Sequence, residues 1–471
     1  MISKKISPMS KTLPLSISTV GLLVLFTIFA KQIPLLQVLP YWFWPLRITA
    51  LNPIYLIGCG VLVALGLQIL CSQMSNSRKL IAFILVGSCL QFGFAFAKDK
   101  GIDGLRDRMV STGHAEFTVL APKLNVSGLI EHYYDLATTK QLGQFAPSKP
   151  PGTLLLYIGF ERLANLFSVA QQSPQDRTES LRTLAAYTWP VITYLPVILI
   201  FFLALPLIGK YYALVAALLY TLVPSVNLIT LHTDQTFYPL IGLSFCTMFN
   251  WAVIKNKGLL AGLAGVLLYA AMFFSFGLAV VGVWAVVYLW LGPLDIKSKA
   301  KLSCTMLGGV TLAAVLVASL TQYDAVRLYE YSIAYHRQWR GWDGSFRTLT
   351  LAGTTNIIEY FVWVGIPVSV FFTFSVIFSI RKSWCDKNFT SSAASVLGVL
   401  ACFIFLFLFA TTKGEVARIW LFLTPLMLVS VATYLDQFSR TSGFTTPSIL
   451  AIFFTLQFIT NILILRYQDF Y

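Results

Sequence analysis

Charged residues are scarce in this 471-residue chain: Asp, Glu, Lys and Arg together make up only 11% of it, whereas soluble domains average about 25%. Hydrophobic residues make up 57%, and the mean hydropathy is +0.75. A chain this apolar would expose more hydrophobic surface than water tolerates, which excludes an ordinary soluble enzyme. The composition therefore predicts a protein that crosses a lipid bilayer many times.

Acidic residues are scarcer still, with 19 Asp and Glu against 34 Lys and Arg and a net charge of +15. In a soluble protein that excess would suggest a nucleic-acid partner. In a membrane protein it first indicates which side of the bilayer each loop faces, so no nucleic acid is expected. The sequence also lacks a Walker loop, a GxGxxG motif after a strand and an HExxH motif, which excludes a cytosolic nucleotide-driven engine.

Cysteine is absent from the loops that we predict to be exported. Six of the seven cysteines fall in apolar runs, and Cys385 falls in a predicted cytosolic loop. No exported disulfide or thiolate metal site is therefore expected. These cysteines are better explained as small apolar residues of the core.

Thirteen uncharged apolar runs are each long enough to cross a bilayer, which takes roughly 20 residues. The predicted spans are Leu13–Ala30, Pro53–Leu70, Leu80–Ala97, Leu184–Leu205, Leu214–Thr230, Tyr238–Ile254, Leu259–Phe274, Phe276–Leu291, Leu302–Leu320, Ile357–Ile380, Ala394–Ala410, Ile419–Leu435 and Ser448–Leu465. The stretch from 259 to 291 is either two short spans or one tilted span. The first run follows Lys4, Lys5 and Lys11 without a cleavage site, so it is predicted to be a retained anchor.

The short loops predict a cytosolic N-terminus in a plasma (inner) membrane. In that orientation fifteen cations and three acids face the cytosol, as the positive-inside rule requires. The apolar stretch Gly152–Phe167 carries Glu161 and Arg162 near its middle, so we interpret it as a helix in the outer interface. All four histidines then lie outside the cytosol, together with most acids, which predicts that any chemistry is extracytoplasmic.

This topology divides the chain into five regions. Residues 1–97 form three transmembrane helices, and 98–183 form an extracytoplasmic loop with an interfacial helix. Residues 184–320 hold transmembrane helices four to nine, 321–356 form a second extracytoplasmic loop, and 357–471 hold the last four transmembrane helices.

Three features of the first outer loop have the residue types that chemistry needs. Asp103 lies between Asp99 and Asp107 at a spacing of four, which places the three on one helical face or in a solvated cap. His114 and Glu116 could share a proton, a phosphate or a metal, although an ordinary polar loop also explains them. Lys149 precedes Pro150 and Pro151, which fix the start of a helix whose first amides suit an anion such as a lipid phosphate.

In their order and sidedness these features resemble the GT-C superfamily of integral membrane glycosyltransferases, which includes the protein O-mannosyltransferases and the aminoarabinose transferases of lipid A. Glu116-Phe117 matches the acidic motif of the first outer loop, and Lys149-Pro150-Pro151 matches the motif before its interfacial helix. Downstream, Leu231–Asp234 corresponds to a second functional carboxylate at the outer end of a span. Glu415–Pro425 is similar to an Arg-aromatic-aliphatic-Pro signature that contains Arg418. The match departs from the family pattern where Ser148-Lys149 replaces a common His and a single Glu116 replaces an acidic pair.

The resemblance implies an all-α polytopic fold and inverting transfer of a sugar from a polyprenyl-phosphate donor to a saccharide, lipid or protein acceptor of the envelope. Such a reaction needs a carboxylate base and cations for the departing phosphate. Glu116 is the first candidate for the base, with Asp234 or Asp103 as alternatives. Lys149, Arg418 and His232 are candidates for binding the phosphate. A divalent metal held by Glu116, His114 and Asp234 stays an open alternative.

The second outer loop combines aromatic residues with hydrogen-bond donors. Trp339 and Trp342 could stack on a saccharide acceptor or belong to an interfacial aromatic belt. Two other function classes also fit a basic outer cavity: a lipid or oligosaccharide translocator or polymerase-like protein without the catalytic carboxylate, and a degenerate scaffold. A transporter is less favoured because the charged residues lie in loops or at span ends, away from the middle of the membrane.

Overall fold

Proline and small polar residues determine where the helices of this chain begin. Asn52, for example, precedes Pro53, and its side-chain oxygen accepts a hydrogen bond from the Ile54 amide at 3.0 Å. This cap satisfies one of the free amides of the first turn, and the proline occupies a position that needs no amide proton. Ser173 and Asp176 cap the helix that begins at Pro174 in the same way, by a reciprocal capping box.

The structure, a computed structural model, describes residues 12–33, 41, 46–98, 100–111, 115–126, 128–166, 173–409 and 411–468. Sequence predictions also rest on residues that lie outside these ranges: Lys4, Lys5, Lys11, Asp99 and His114. No β-strand occurs in the described ranges, where an isolated bridge pairs Leu46 with Gln468.

The α-helices, numbered along the chain, fall into three stretches. The first stretch comprises α1 (Leu13–Ala30), α2 (Pro53–Cys71), α3 (Asn76–Ala97), α4 (Gly101–Ser111), α5 (Ala115–Leu120), α6 (Tyr133–Thr138) and α7 (Pro151–Ala164). The second comprises α8 (Pro174–Ile192), α9 (Pro196–Tyr220), α10 (Pro224–Leu228), α11 (Thr233–Lys255), α12 (Gly258–Phe274), α13 (Val280–Leu291) and α14 (Ile296–Thr321). The third comprises α15 (Ala325–Trp339), α16 (Phe346–Val364), α17 (Ile366–Asp386), α18 (Ser391–Phe409), α19 (Val416–Ile419), α20 (Thr424–Thr441) and α21 (Thr446–Tyr467).

Within the described residues, ten helical segments are long and apolar enough to cross a membrane, and α12 and α13 are shorter apolar helices. One of the ten, Pro174–Tyr220, contains a break at Gly209, where φ is +79°. The rings of Tyr194 and Tyr220 are 6.1 Å apart, although a continuous helix would separate them by about 39 Å. The chain therefore reverses at Gly209, which gives the two spans that the sequence predicts there. The protein is an all-α, multi-pass membrane protein.

The stretch from 259 to 291 consists of two helices. The backbone leaves the helical conformation at Ser275, where φ is −157° and ψ is 128°, so α12 ends at Phe274. Gly262 and Gly309 allow the backbones of α12 and α14 to approach closely, because a Cβ on Gly309 would overlap the Gly262 carbonyl. Small residues are the usual means of such close packing between membrane helices.

The predicted span Ile357–Ile380 differs from the structure. α16 begins at Phe346, within the predicted second outer loop, and ends at Val364, before Gly365, where φ is +108°. A side chain at that position would also overlap the amide of Gln457, which donates to the Val364 carbonyl at 2.8 Å. The segment with the properties of a span is therefore α17, and α16 carries polar residues toward the loop at 411–418.

Burial separates the centre of the molecule from its lipid-facing surface. In Leu421–Thr441, 83% of an 18-residue apolar window is buried, against 17% in α14. A second, separate apolar core includes Phe117, Tyr133, Tyr157 and Leu231. This second core joins the first outer loop to the start of α11, where the candidate site lies.

Candidate active site

Lys149 is held in place by the packing of the α7 N-terminus. Gly152 lies against the Phe273 carbonyl so closely that a Cβ there would overlap it. Thr153 Oγ1 donates to the Phe274 carbonyl at 2.7 Å, and Tyr133 OH donates to the Lys149 carbonyl at 3.1 Å. The Lys-Pro-Pro-Gly sequence thus docks the start of α7 on the end of α12.

Asp234 lies in the first turn of α11 and is completely buried. Lys149 Nζ is 2.5 Å from its Oδ2, and Tyr238 OH donates to the same oxygen at 3.0 Å. Tyr157 OH lies 3.5 Å from Oδ1, and the Lys149 ammonium lies 5.0 Å from the Phe117 ring centroid. Burial lowers the pKa of Lys149 below its ordinary value, and Asp234 opposes that shift. Two buried charges are stabilised here by pairing with each other.

Arg418 reaches the same region from the far end of the chain. Its Nη1 donates at 2.9 Å to Oε1 of Gln235, the residue after Asp234. Its Nη2 donates at 2.6 Å to Glu415 Oε2. The structure therefore brings Arg418 to Gln235, the residue next to the Lys149–Asp234 pair.

His232 is buried two residues before Asp234. It lies at the N-cap position of α11, and its carbonyl accepts the Thr236 amide at 3.0 Å. Leu231, just before it, has φ of +61°, a left-handed conformation that L residues seldom adopt. The tight backbone at this point directs both His232 and Asp234 into the interior.

Glu116 binds backbone amides. Its Oε2 accepts from Gln144 N at 2.6 Å, and its Oε1 accepts from Phe145 N at 2.8 Å and Ala146 N at 2.9 Å. Gly143, with φ of +77°, lies directly against this carboxylate, and any side chain there would overlap it. Glu116 therefore fixes the segment that leads to Lys149, because charge-assisted hydrogen bonds of this kind are strong.

Asp103 is on the surface of α4. Its side chain is 86% exposed, and its carboxylate lies 3.2 Å from Arg106 Nη1. Arg106 in turn pairs with Glu179, which also binds Arg182 at 2.7 Å. These contacts place Asp103 in a surface ion-pair network.

The two tryptophans of the second outer loop contact different partners. Trp339 meets the ring of Phe145 edge to face at 5.4 Å, and the Arg340 guanidinium lies 4.3 Å from its centroid. The Trp342 ring centroid lies 5.9 Å from Lys413 Nζ. Trp339 thus contacts the segment that Glu116 fixes, whereas Trp342 contacts the loop before Arg418.

Several residues of this site were not predicted from the sequence. Glu359 is 3% exposed on α16, and its Oε1 accepts from Ala417 N at 3.3 Å. Asn356, one turn earlier, donates to the Thr412 carbonyl at 2.8 Å and accepts from Gly414 N at 2.9 Å. The available signal was an acid and an amide within an otherwise apolar run, which membrane proteins rarely keep without a use.

The described residues do not fit the metal alternative. No group of three His, Cys, Asp or Glu side chains in the described ranges is placed to hold a metal ion. Glu116 gives both oxygens to amides, and Asp234 faces an ammonium group, which would repel a divalent cation. The third expected ligand, His114, lies outside those ranges.

No protein-family model and no curated protein matches the sequence. The fold is similar to the crystal structure of the Archaeoglobus fulgidus oligosaccharyltransferase in complex with zinc and sulfate, with a TM-score of 0.51 and 14% identity. The match covers 80% of this chain. The two chains therefore share a fold. The chain spans about half the length of the archaeal enzyme, since the match covers 53% of it.

Proposed function

We propose that this GT-C-fold protein is a membrane glycosyltransferase that moves a sugar from a polyprenyl-phosphate donor to an extracytoplasmic acceptor. The observation that carries the proposal is the buried Asp234 carboxylate, paired with Lys149 at 2.5 Å beside Arg418. A carboxylate paired with one cation, with a second cation bound to the next residue, supplies both groups that the reaction needs. The likeness in fold to an oligosaccharyltransferase supports the same class of reaction.

We assign the general base to Asp234 in preference to Glu116 or Asp103. Glu116 already accepts three backbone hydrogen bonds, and Asp103 is a surface residue paired with Arg106. In the proposed step, Asp234 takes the proton of an acceptor hydroxyl while the oxygen of that hydroxyl bonds to the anomeric carbon. The bond from that carbon to the phosphate oxygen breaks, and the lipid phosphate leaves with the electron pair, which inverts the anomeric centre. A base of this kind contributes about 10² to 10⁴ in rate.

Lys149 and Arg418 are proposed to bind the phosphate. Lys149 pairs with Asp234 in the resting protein, and its flexible ammonium group can turn to the phosphate when the donor binds. Arg418 offers a planar fork that suits phosphate oxygens. His232, buried beside them, is a further candidate for this group.

The second outer loop is the proposed binding region for the acceptor. Trp339 and Trp342 are proposed to stack on a saccharide, lipid-linked or protein-linked acceptor, with the alternative that they form an interfacial belt. The donor would reach the site from the lipid bilayer. The loops that carry the site are proposed to face away from the cytosol in a plasma (inner) membrane.

Purified protein in detergent or nanodiscs tests this function. A polyprenyl-phosphate sugar labelled in the lipid should yield free polyprenyl phosphate, and a label in the sugar should pass to an acceptor. A translocator or a scaffold would leave the donor intact under the same conditions. If Asp234→Asn and Glu116→Gln both leave transfer unchanged, the assignment of the base fails.

A further inference from the structure

Two arginines from different outer loops converge on one carboxylate oxygen. Arg418 Nη2 is 2.6 Å from Glu415 Oε2, and Arg340 Nη2 is 2.7 Å from the same atom. Arg340 belongs to the second outer loop, just after α15, whereas Glu415 and Arg418 belong to the loop before α20. Two guanidinium groups around a single oxygen form an arrangement that a phosphate group also satisfies.

The donors in this arrangement exceed what Glu415 uses. Arg340 Nε is buried and has no hydrogen-bond partner among the described residues. Glu415 itself remains 36% exposed, while the Arg340 and Arg418 side chains are 18% and 7% exposed. The carboxylate can therefore be reached and replaced from outside, whereas the two cations that hold it are largely enclosed.

The backbone at Glu415 is also unfavourable for its residue type. Gly414 has φ of +71° and Glu415 has φ of +61°, so two successive residues are left-handed. A non-glycine residue in this conformation is held there by its surroundings. Asn356 fixes the turn through Thr412 and Gly414, which leaves the Glu415 side chain as the part that can move.

We propose that Arg340 and Arg418 form a phosphate-binding site that Glu415 occupies at rest, and that the donor's phosphate displaces Glu415 when it binds. This inference rests on the proposed function, because it names the resting occupant of the phosphate site and adds Arg340 to its ligands. It also explains why the Glu415 carboxylate lies next to Arg418, a cation that the proposed reaction needs. Glu415 preorganises the two arginines and competes with the substrate for them.

Binding of farnesyl monophosphate to the full-length protein tests this exchange. Glu415→Gln should lower the apparent Kd about tenfold because the competing charge is gone. Arg340→Gln should raise the apparent Kd. The double variant Arg340→Gln, Glu415→Gln should lose most of the affinity that Glu415→Gln alone gains. Inorganic phosphate should bind more weakly, and its Kd should rank the variants in the same order. The ratio of the Kd values for the two probes measures the contribution of the lipid chain.

Glu179→Gln is a matched control, because Glu179 also bridges two arginines, Arg106 and Arg182, in the first outer loop. It should leave the Kd unchanged. An unchanged or raised Kd for Glu415→Gln, with a larger fall in unfolding temperature than Glu179→Gln shows, would identify a purely structural ion pair and overturn the inference. If the wild-type protein binds farnesyl monophosphate but Glu415→Gln behaves in this way, the inference fails and the proposed function is unaffected. Absence of binding in every variant overturns both.

Discussion

Lys149 Nζ and Asp234 Oδ2 lie 2.5 Å apart, although 85 residues separate them in the sequence. The lysine precedes a helix of the first outer loop, and the aspartate begins a membrane helix. Because Asp234 is fully buried and Lys149 is 16% exposed, each stabilises the charge of the other, and this pair links the two regions that form the candidate site.

Removing one partner of this pair should destabilise the protein more than removing both. Lys149→Met leaves a buried, uncompensated carboxylate, which typically costs about 3–5 kcal/mol. Asp234→Asn in the same chain should recover much of that loss, since the neutral amide needs no counter-charge. Thermal unfolding of the two single variants and the double variant in one detergent measures the coupling, and additive losses would show that the pair is not coupled.

Gly143→Ala should impair the site without touching the cluster around Asp234. The new methyl group would overlap the Glu116 carboxylate and sit on a left-handed backbone, so the segment from Gln144 to Ala146 must shift. We expect lower stability and a higher KM for the donor, because this segment leads to Lys149. Gly159→Ala is the matched control, since a methyl group there meets open space. Equal behaviour of the two variants would contradict the role of Glu116.

His336 should make stability depend on pH between about 6.5 and 4. Burial and the nearby Arg340 lower the pKa of His336 to about 4, while Glu415 acts in the opposite direction. The unfolded chain takes up the proton near pH 6.5 and the folded chain only near pH 4, so stability falls as the pH decreases through this window. Unfolding temperatures of wild type and His336→Gln across it check this. The gap between the two should change with pH, and a constant gap argues against the buried neutral histidine.

The tryptophans distinguish an acceptor platform from an aromatic belt. Trp339→Ala should raise the KM for the acceptor several-fold if the ring stacks on a sugar, with little change in the KM for the donor. Trp342→Ala tests the same role near Lys413. A loss confined to expression level, with unchanged kinetics in purified protein, would favour the belt.

The apolar runs predicted most of the fold because span length and charge exclusion are local properties of the chain. Most of the predicted runs coincide with helices of the described residues, including the two arms that meet at Gly209. The span at 357–380 was misplaced because the break at Gly365 depends on Gln457, which lies far along the chain.

The candidate site was predictable only in part. Lys149, Asp234 and Arg418 were named from motif order, and in the structure Lys149 pairs with Asp234 while Arg418 binds the adjacent Gln235. The contacts of Glu116 were not predictable, because they depend on how the segment after Gly143 folds back over the carboxylate. Glu359 and Arg340 were missed because their partners belong to other loops, and no local pattern reports such pairings.

The most direct test of the account compares Asp234→Asn with Glu116→Gln in release of polyprenyl phosphate from a labelled polyprenyl-phosphate sugar, at matched protein levels. If Asp234 is the base, kcat falls about 10²-fold or more in Asp234→Asn. Glu116→Gln should keep most of the wild-type kcat, because its amide oxygen can still accept from Phe145 N and Ala146 N, and only the hydrogen bond from Gln144 N is lost. Retained turnover in Asp234→Asn together with its loss in Glu116→Gln would contradict the account and return the base to Glu116.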